Sequence, residues 1–83
     1  MNGKKEGDYK LAQENVEFPI PGKVLSVNVS QGSEVKEGDV ICTLESMKME
    51  NPILAPRNGT IAKLELSAGQ VVEAGQLVCI IEY

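Results

Sequence analysis

Lys48 stands between Met47 and Met49, with Glu45, Ser46 and Glu50 completing the stretch "ESMKME" around it. Leaving aside Met1, these are the only methionines in the chain. The chemistry open to such a point is that of a primary amine, which is nucleophilic only after losing its proton. An alkylammonium in water keeps that proton at neutral pH, and the chain has no histidine to remove it. The base must come from another protein. Two plainer readings stand beside this one: an isolated lysine on a turn is ordinarily a solubilising charge, and Met47 and Met49 can instead turn inward as flexible core fillers.

The absence of histidine also removes His-based acid–base chemistry and nearly every zinc constellation. Cys42 and Cys79 alone cannot build a structural zinc site, and neither a Gly-x-Ser-x-Gly turn nor a paired-carboxylate signature is present. No metal site and no independent active site are expected. The net charge is −4, and the 8 lysines and arginines are scattered, whereas nucleic acid needs a clustered basic footprint. Apolar runs such as "LVCII" fall far short of the ~20 residues of a membrane helix. No apolar stretch follows Lys4 and Lys5, so no signal peptide is read. The expected location is the cytoplasm, or an organelle interior after processing, with association with a membrane-bound complex left open. Cys42 and Cys79 read as small buried hydrophobes, with a disulfide as the alternative. The sequons at Asn28 and Asn58 are discounted for want of a secretory signal.

The elements that must position Lys48 are strands. With only Phe18, Tyr9 and Tyr83 as aromatics, the core must be aliphatic. Its β-branched residues, together with 8 Gly and 4 Pro, favour short strands and tight turns. Residues 1–14 are polar and read as a flexible lead-in or linker remnant, and residues 15–83 as one domain. Within it, residues 16–45 lie over residues 53–82 without a gap, at an offset of 37. Pro19 meets Pro56, Gly22 meets Gly59, Gly32 meets Gly69, Gly38 meets Gly75 and Cys42 meets Cys79. Two copies are too few for a solenoid. They predict two interlocked half-domains about a pseudo-twofold axis, an all-β flattened barrel of two small antiparallel sheets. Alternation predicts Leu25, Val27 and Val29 inward, matched by Ala62, Leu64 and Leu66. A second inward set is Val40, Cys42 and Leu44, matched by Leu77, Cys79 and Ile81. Turns are expected at "SQGS", "SAGQ", "KEGD" and "EAGQ", and Asn58-Gly59 reads as a two-residue hairpin turn.

Between the copies, residues 46–52 have no counterpart and carry Lys48 to a hairpin tip. A two-residue tip needs φ > 0 at both central residues and prefers Asn-Gly or Gly-Gly. Met47-Lys48 breaks that rule at a strain of roughly 1–3 kcal/mol per residue, and such violations collect at functional sites.

Met-Lys-Met at this point resembles the biotinyl domain of biotin-dependent carboxylases and decarboxylases. "FPIPGKV" is similar to that family's entry segment, "VKEGDVICTLESMKMENPILAP" to its central stretch and "NGTIAKLELSAGQVVEAGQLVCIIE" to its closing half. The likeness runs from about residue 16 to the end. Ser46 replaces the usual alanine, a departure that bears on ligase efficiency. The gapless repeat leaves no room for the inserted thumb of some carriers, so the chain looks like the thumbless type. The resemblance implies a hammerhead barrel with biotin attached covalently to Lys48. Met47 and Met49 would be read by a biotin protein ligase, with Glu45, Ser46 and Glu50 as flanks of the tip. It implies a non-catalytic carrier whose swinging arm serves a biotin carboxylase and then a carboxyltransferase or decarboxylase subunit. A lipoyl domain is the rival of similar fold, but that family carries Asp-Lys-Ala at the tip. An unmodified assembly adaptor with an idle Lys48 is the third reading.

Overall fold

The computed structural model describes residues 12–83. Eight strands form two four-stranded antiparallel sheets, without a helix among the described residues. They are β1 (Gln13–Glu17), β2 (Gly22–Val27), β3 (Glu34–Val35), β4 (Val40–Ser46), β5 (Met49–Leu54), β6 (Gly59–Leu64), β7 (Val71–Val72) and β8 (Leu77–Glu82). The orders are β1-β8-β6-β3 and β5-β4-β2-β7, hereafter the first and second sheets. Each sheet takes two strands before the tip hairpin and two after it. Neither half could close a sheet alone, so the repeats are interlocked as expected.

The offset of 37 carries one sheet onto the other, with β1, β8, β6 and β3 equivalent to β5, β4, β2 and β7. The repeat therefore reaches further than its residue identities showed. β1 opens at Gln13, inside the segment expected as a lead-in; residues 1–11 lie outside the described residues. β5 likewise begins at Met49, so Glu50, Asn51 and Pro52, within the segment taken to have no counterpart, are the structural equivalents of Gln13, Glu14 and Asn15 in β1.

The core obeys the same rule. Its buried residues are Val16 and Ile53, Phe18 and Ala55, Val24 and Ile61, Val35 and Val72, Ile41 and Val78, Cys42 and Cys79, and Leu44 and Ile81. Every one is paired with another at the offset. Fully burying an aliphatic side chain of this size contributes about 1.5–3 kcal/mol, and no polar or charged residue is buried among the described residues. Both cysteines are free and completely buried.

Simple alternation fails where strands bulge. Val24 rather than Leu25 faces the core, because the β2–β4 register shifts between Val24 and Ser26 and leaves Leu25 as the extra, exposed residue. Val27, Val29, Leu64 and Leu66 are only half-buried against the core, and Ile61 takes the inward place expected of Ala62, again at a bulge. On β4 and β8 the extra residues are Ile41 and Val78, so two consecutive side chains turn inward in each strand. Val40 and Leu77, expected inside, are half-buried.

The four glycine turns form as expected, each with glycine third and a φ between +87 and +94, the type II arrangement. Each is closed by a bond to its first carbonyl, as from the Asp39 amide to Lys36 O at 2.9 Å. A side chain locks it further: Ser33, Asp39, Gln70 and Gln76 each accept from the amide three residues earlier. The turn glycines also donate across the repeat, Gly32 to Ile61 O and Gly69 to Val24 O. Asn58-Gly59 makes no such turn. Neither residue has positive φ, Gly59 opens β6, and the Asn58 side chain accepts from the Glu37 amide at 2.8 Å.

Gly22 and Gly59 meet a different demand. A Cβ on Gly22 would overlap the Glu45 carbonyl and crowd the Leu44 side chain; one on Gly59 would stand 2.5 Å from Glu82 O. Backbone is what blocks the space, so relief requires the strands to part. Gly22→Ala and Gly59→Ala each lower stability by about 1–3 kcal/mol, measured as a fall in the urea midpoint with an unchanged slope. Burial raises both thiols from 9.0 to about 11, and Cys42 adds to the rise at Cys79. The folded chain thus holds these protons more tightly than the unfolded one. The contribution of these two thiols to stability is constant below pH 9 and falls as pH rises from 9 to about 11. Comparing urea titrations of wild type and Cys42→Ala/Cys79→Ala isolates that fall, which the less stable variant lacks.

Candidate functional site

β4 lies at the interior of the second sheet, held by β2 on one side and β5 on the other. Its inward residues Cys42 and Leu44 are fully buried, which fixes the register through to the strand's end. Glu45 pairs with Glu50 and Ser46 with Met49. Only Met47 and Lys48 remain to turn the chain, with φ of 55° and 64°. They are the only non-glycine residues with positive φ among those described. A left-handed conformation costs an L-residue roughly 1–2 kcal/mol. The turn that asparagine and glycine would make with ease is made here by methionine and lysine.

The consequence is presentation. Met47 is 91% exposed, Met49 is 66% exposed, and Lys48 is exposed between them. The inward-tucked alternative for the methionines does not occur. Lys48 makes no hydrogen bond, ion pair or ring contact among the described residues. Asn51 steadies the rising strand by donating Nδ2 to Met49 O at 3.2 Å. Of the expected flanking residues, Glu45 and Glu50 are exposed and directly opposed, and Ser46 is half-buried. Like charges so placed destabilise a ladder. Lys23 lies opposite Glu45 on the other side, from β2. Nothing local to the tip announces Lys23, because β2–β4 pairing joins residues distant in sequence.

The other end of the barrel shows what this one omits. β2 runs away from the tip, and the turn after it is bonded to Ile61, next to Thr60 and Glu82. There the equivalent of the Ser46–Met49 pair is Tyr83 and Ala12, joined amide to carbonyl at 3.0 and 3.3 Å. Gln13 Nε2 donates to Glu82 at 3.0 Å. Arg57 donates to Glu14 at 2.7 Å and lies 3.8 Å from the centre of the Tyr83 ring. Gln13, Glu14, Arg57 and Glu82 thus bond to one another at that end, whereas Glu45, Glu50 and Lys23 beside the tip make no side-chain hydrogen bond or ion pair among the described residues.

No cluster of three or more metal-ligating side chains occurs among the described residues. The barrel thus presents an exposed lysine, without a partner among the described residues, at a strained two-residue tip. The chain matches the biotin/lipoyl attachment family, described as biotin-requiring enzyme, over residues 14–81, and it belongs to that family. It is 46% identical over 68 residues to "Biotinylated protein TB7.3 homolog" of Mycobacterium leprae, covering 82% of this chain and 96% of that one. It is 42% identical over 60 residues to the propionyl-CoA carboxylase alpha chain of Ruegeria pomeroyi, 72% of this chain but 9% of that one. The urea carboxylase of Kluyveromyces lactis contains a region that superposes on 98% of this chain, with a TM-score of 0.78 and 30% identity, spanning 7% of that enzyme. The domain thus occurs nearly alone and as a small part of long carboxylase chains.

Relieving the turn tests its strain. Met47→Asn with Lys48→Gly stabilises the fold by about 1–3 kcal/mol, read as a raised thermal midpoint.

Proposed function

We propose that Lys48 is the residue through which this biotin carrier domain holds its cofactor. The observation that carries the reading is the tip: an exposed, unpartnered lysine at φ 64° beyond the last strand pair. The residues fit an amide-linked group. The backbone falls away on both sides, no carboxylate holds the amine, and no side chain must move for a modifying enzyme to reach it. When bound, biotin supplies a ring nitrogen able to take up and release a carboxyl group.

The chain's own residues do the rest. Lys48 gives up its charge on acylation and becomes the root of a long arm. The rigid ladder behind it confines that arm, raising its effective concentration at any site the domain is docked beside. Met47 and Met49 give the tip a soft, polarizable surface that adapts to several partners, and we assign them recognition by the ligase. The partners that fit are a biotin protein ligase, a biotin carboxylase, and a carboxyltransferase or decarboxylase subunit, visited in turn. A lipoyl carrier would need the same geometry, but the Met-Lys-Met tip and the biotinylated relative favour biotin.

Co-expression with a biotin ligase followed by intact-mass measurement tests this. Wild type gains one biotin and Lys48→Ala gains none; a biotin adduct persisting in Lys48→Ala, or a lipoyl adduct on wild type, refutes the assignment. Met47→Asp and Met49→Ala keep the fold and load roughly tenfold more slowly, the worth of one contact of about 1.4 kcal/mol. Unchanged loading rates would remove the recognition role.

A further inference from the structure

Asn58-Gly59 has the composition of a hairpin turn and makes none, and the presentation of Lys48 does not use it. Its chemistry is that of amide loss. A glycine after asparagine lets its own backbone nitrogen close on the asparagine side chain, because no Cβ stands in the way. The chain has two such pairs, Asn2-Gly3 and Asn58-Gly59, and the first lies outside the described residues. Asn58 is exposed between β5 and β6, at the end of the barrel away from the tip. The equivalent pair in the other half is Pro21-Gly22, which has no amide to lose. The fold shows what the asparagine does instead: its Oδ1 accepts from the Glu37 amide at 2.8 Å, a bond that a proline side chain cannot make.

Three contacts keep the reacting atoms apart. The bond from Glu37 holds the Asn58 side chain in place. Gly59 pairs with Val35 of β3, and two residues further on Ile61 donates to Ser33 O at 2.8 Å. Bonded pairs recur at every second residue of an antiparallel ladder, so the Gly59 amide is turned toward Val35. Gly59 is also wedged, since a Cβ on it would stand 2.5 Å from both Glu82 O and the Ile81 side chain. The first two contacts depend on β3 and the turn behind it. β3 is only 2 residues long, lies at the sheet edge beside β6 alone, and sends one side chain, Val35, into the core. Such a segment opens at a lower free energy than the whole domain.

We propose that Asn58 is a deamidation site, guarded while β3 and β6 are paired and released when β3 opens. In the open chain the Gly59 nitrogen gives its proton to a solvent base and bonds to Asn58 Cγ. The Cγ–Nδ2 bond breaks, and the amide nitrogen takes a proton from solvent and leaves as ammonia. Water then opens the cyclic imide. Cleavage at Cγ yields aspartate, and cleavage at the main-chain carbonyl yields isoaspartate, whose backbone runs through Cβ and Cγ. The two products differ in what they can rebuild. Aspartate keeps an oxygen for the Glu37 amide, so the ladder closes again. Isoaspartate lengthens the main chain by a methylene immediately before Gly59, where β6 packs against Glu82 and Ile81. The register of Gly59 with Val35, and of Thr60 with Glu82, is then lost. The site thus accumulates, irreversibly, the time that the ladder has spent open.

Peptide mapping of the full chain, incubated at mildly alkaline pH, follows aspartate and isoaspartate at position 58 separately from those at position 2. In urea Asn58 converts roughly tenfold faster or more than in the folded chain, where only the open fraction reacts. Glu37→Pro isolates the guard. Position 37 is second in its turn, where proline is favoured, so the variant removes the donor to Asn58 without lowering the thermal midpoint. It still speeds conversion in the folded chain. Val35→Ala, which loosens β3 without touching either reacting residue, speeds it as well. Purified isoaspartyl chain melts below wild type, whereas Asn58→Asp melts with it. Equal rates in urea and in the folded chain overturn the guard, as do wild-type rates in both folded variants. An Asn58 that stays intact in urea overturns the site itself, and an isoaspartyl chain as stable as Asn58→Asp overturns the irreversible loss of register.

Discussion

The β4–β5 ladder is the constraint on which the presented lysine depends. From Val40 with Leu54 to Ser46 with Met49, its pairs run to the last residue before the turn. Cys42 and Leu44 anchor one strand and Ile53 the other in the core. A two-residue connection between strands so registered leaves no freedom in φ. Met47 and Lys48 adopt positive values because the alternative is to break pairs that the core has already fixed. The strain is local, and the burial that sustains it is distributed through the barrel. The amine consequently projects from a rigid base, where a looser loop would let it fold back onto the protein.

The scaffold behind the ladder is assembled twice from one pattern. Strands of both halves share each sheet, turn glycines of one half donate to strands of the other, and the core residues fall into equivalent pairs. Such a body has no intrinsic front or back. Direction comes from its two ends. At one, Ala12 and Tyr83 close on each other, and Gln13, Glu14, Arg57 and Glu82 bond among themselves. At the other, the side chains of Met47, Lys48, Glu45, Glu50 and Val71 make no hydrogen bond or ion pair among the described residues. Approximate symmetry thus makes one contrast direct: Glu50 opposes Glu45 where its counterpart Gln13 donates to Glu82.

Much of this was legible from residue types and spacing. Gly22 with Gly59 and Cys42 with Cys79 revealed the duplication, and duplication with short apolar runs implied two sheets sharing one aliphatic core. The tip was legible because Met47-Lys48 defies the preferences of a two-residue turn. The inward-facing sets were read less well. Leu25 was expected inside and is exposed, while Val24, Ile41 and Val78 fill the core. A bulge inserts one residue into a period of two and reverses the alternation beyond it, and its position depends on which strands pair. Asn58-Gly59 likewise has the composition of a hairpin turn, yet packing against Glu82 leaves Gly59 extended at the start of β6.

The sequence by itself determined the doubled pattern, the glycine turns and the lysine between two methionines, since each is a matter of residue type at fixed spacing along the chain. Tertiary structure alone decided the positions of the bulges and the pairing of β1 with β8. It also decided the meeting of Glu50, Glu45, Lys23 and Val71 in one exposed row. Those outcomes join residues up to 69 positions apart, as with Gln13 and Glu82. Local propensity does not specify such contacts, which are chosen only when the two halves close around a common core.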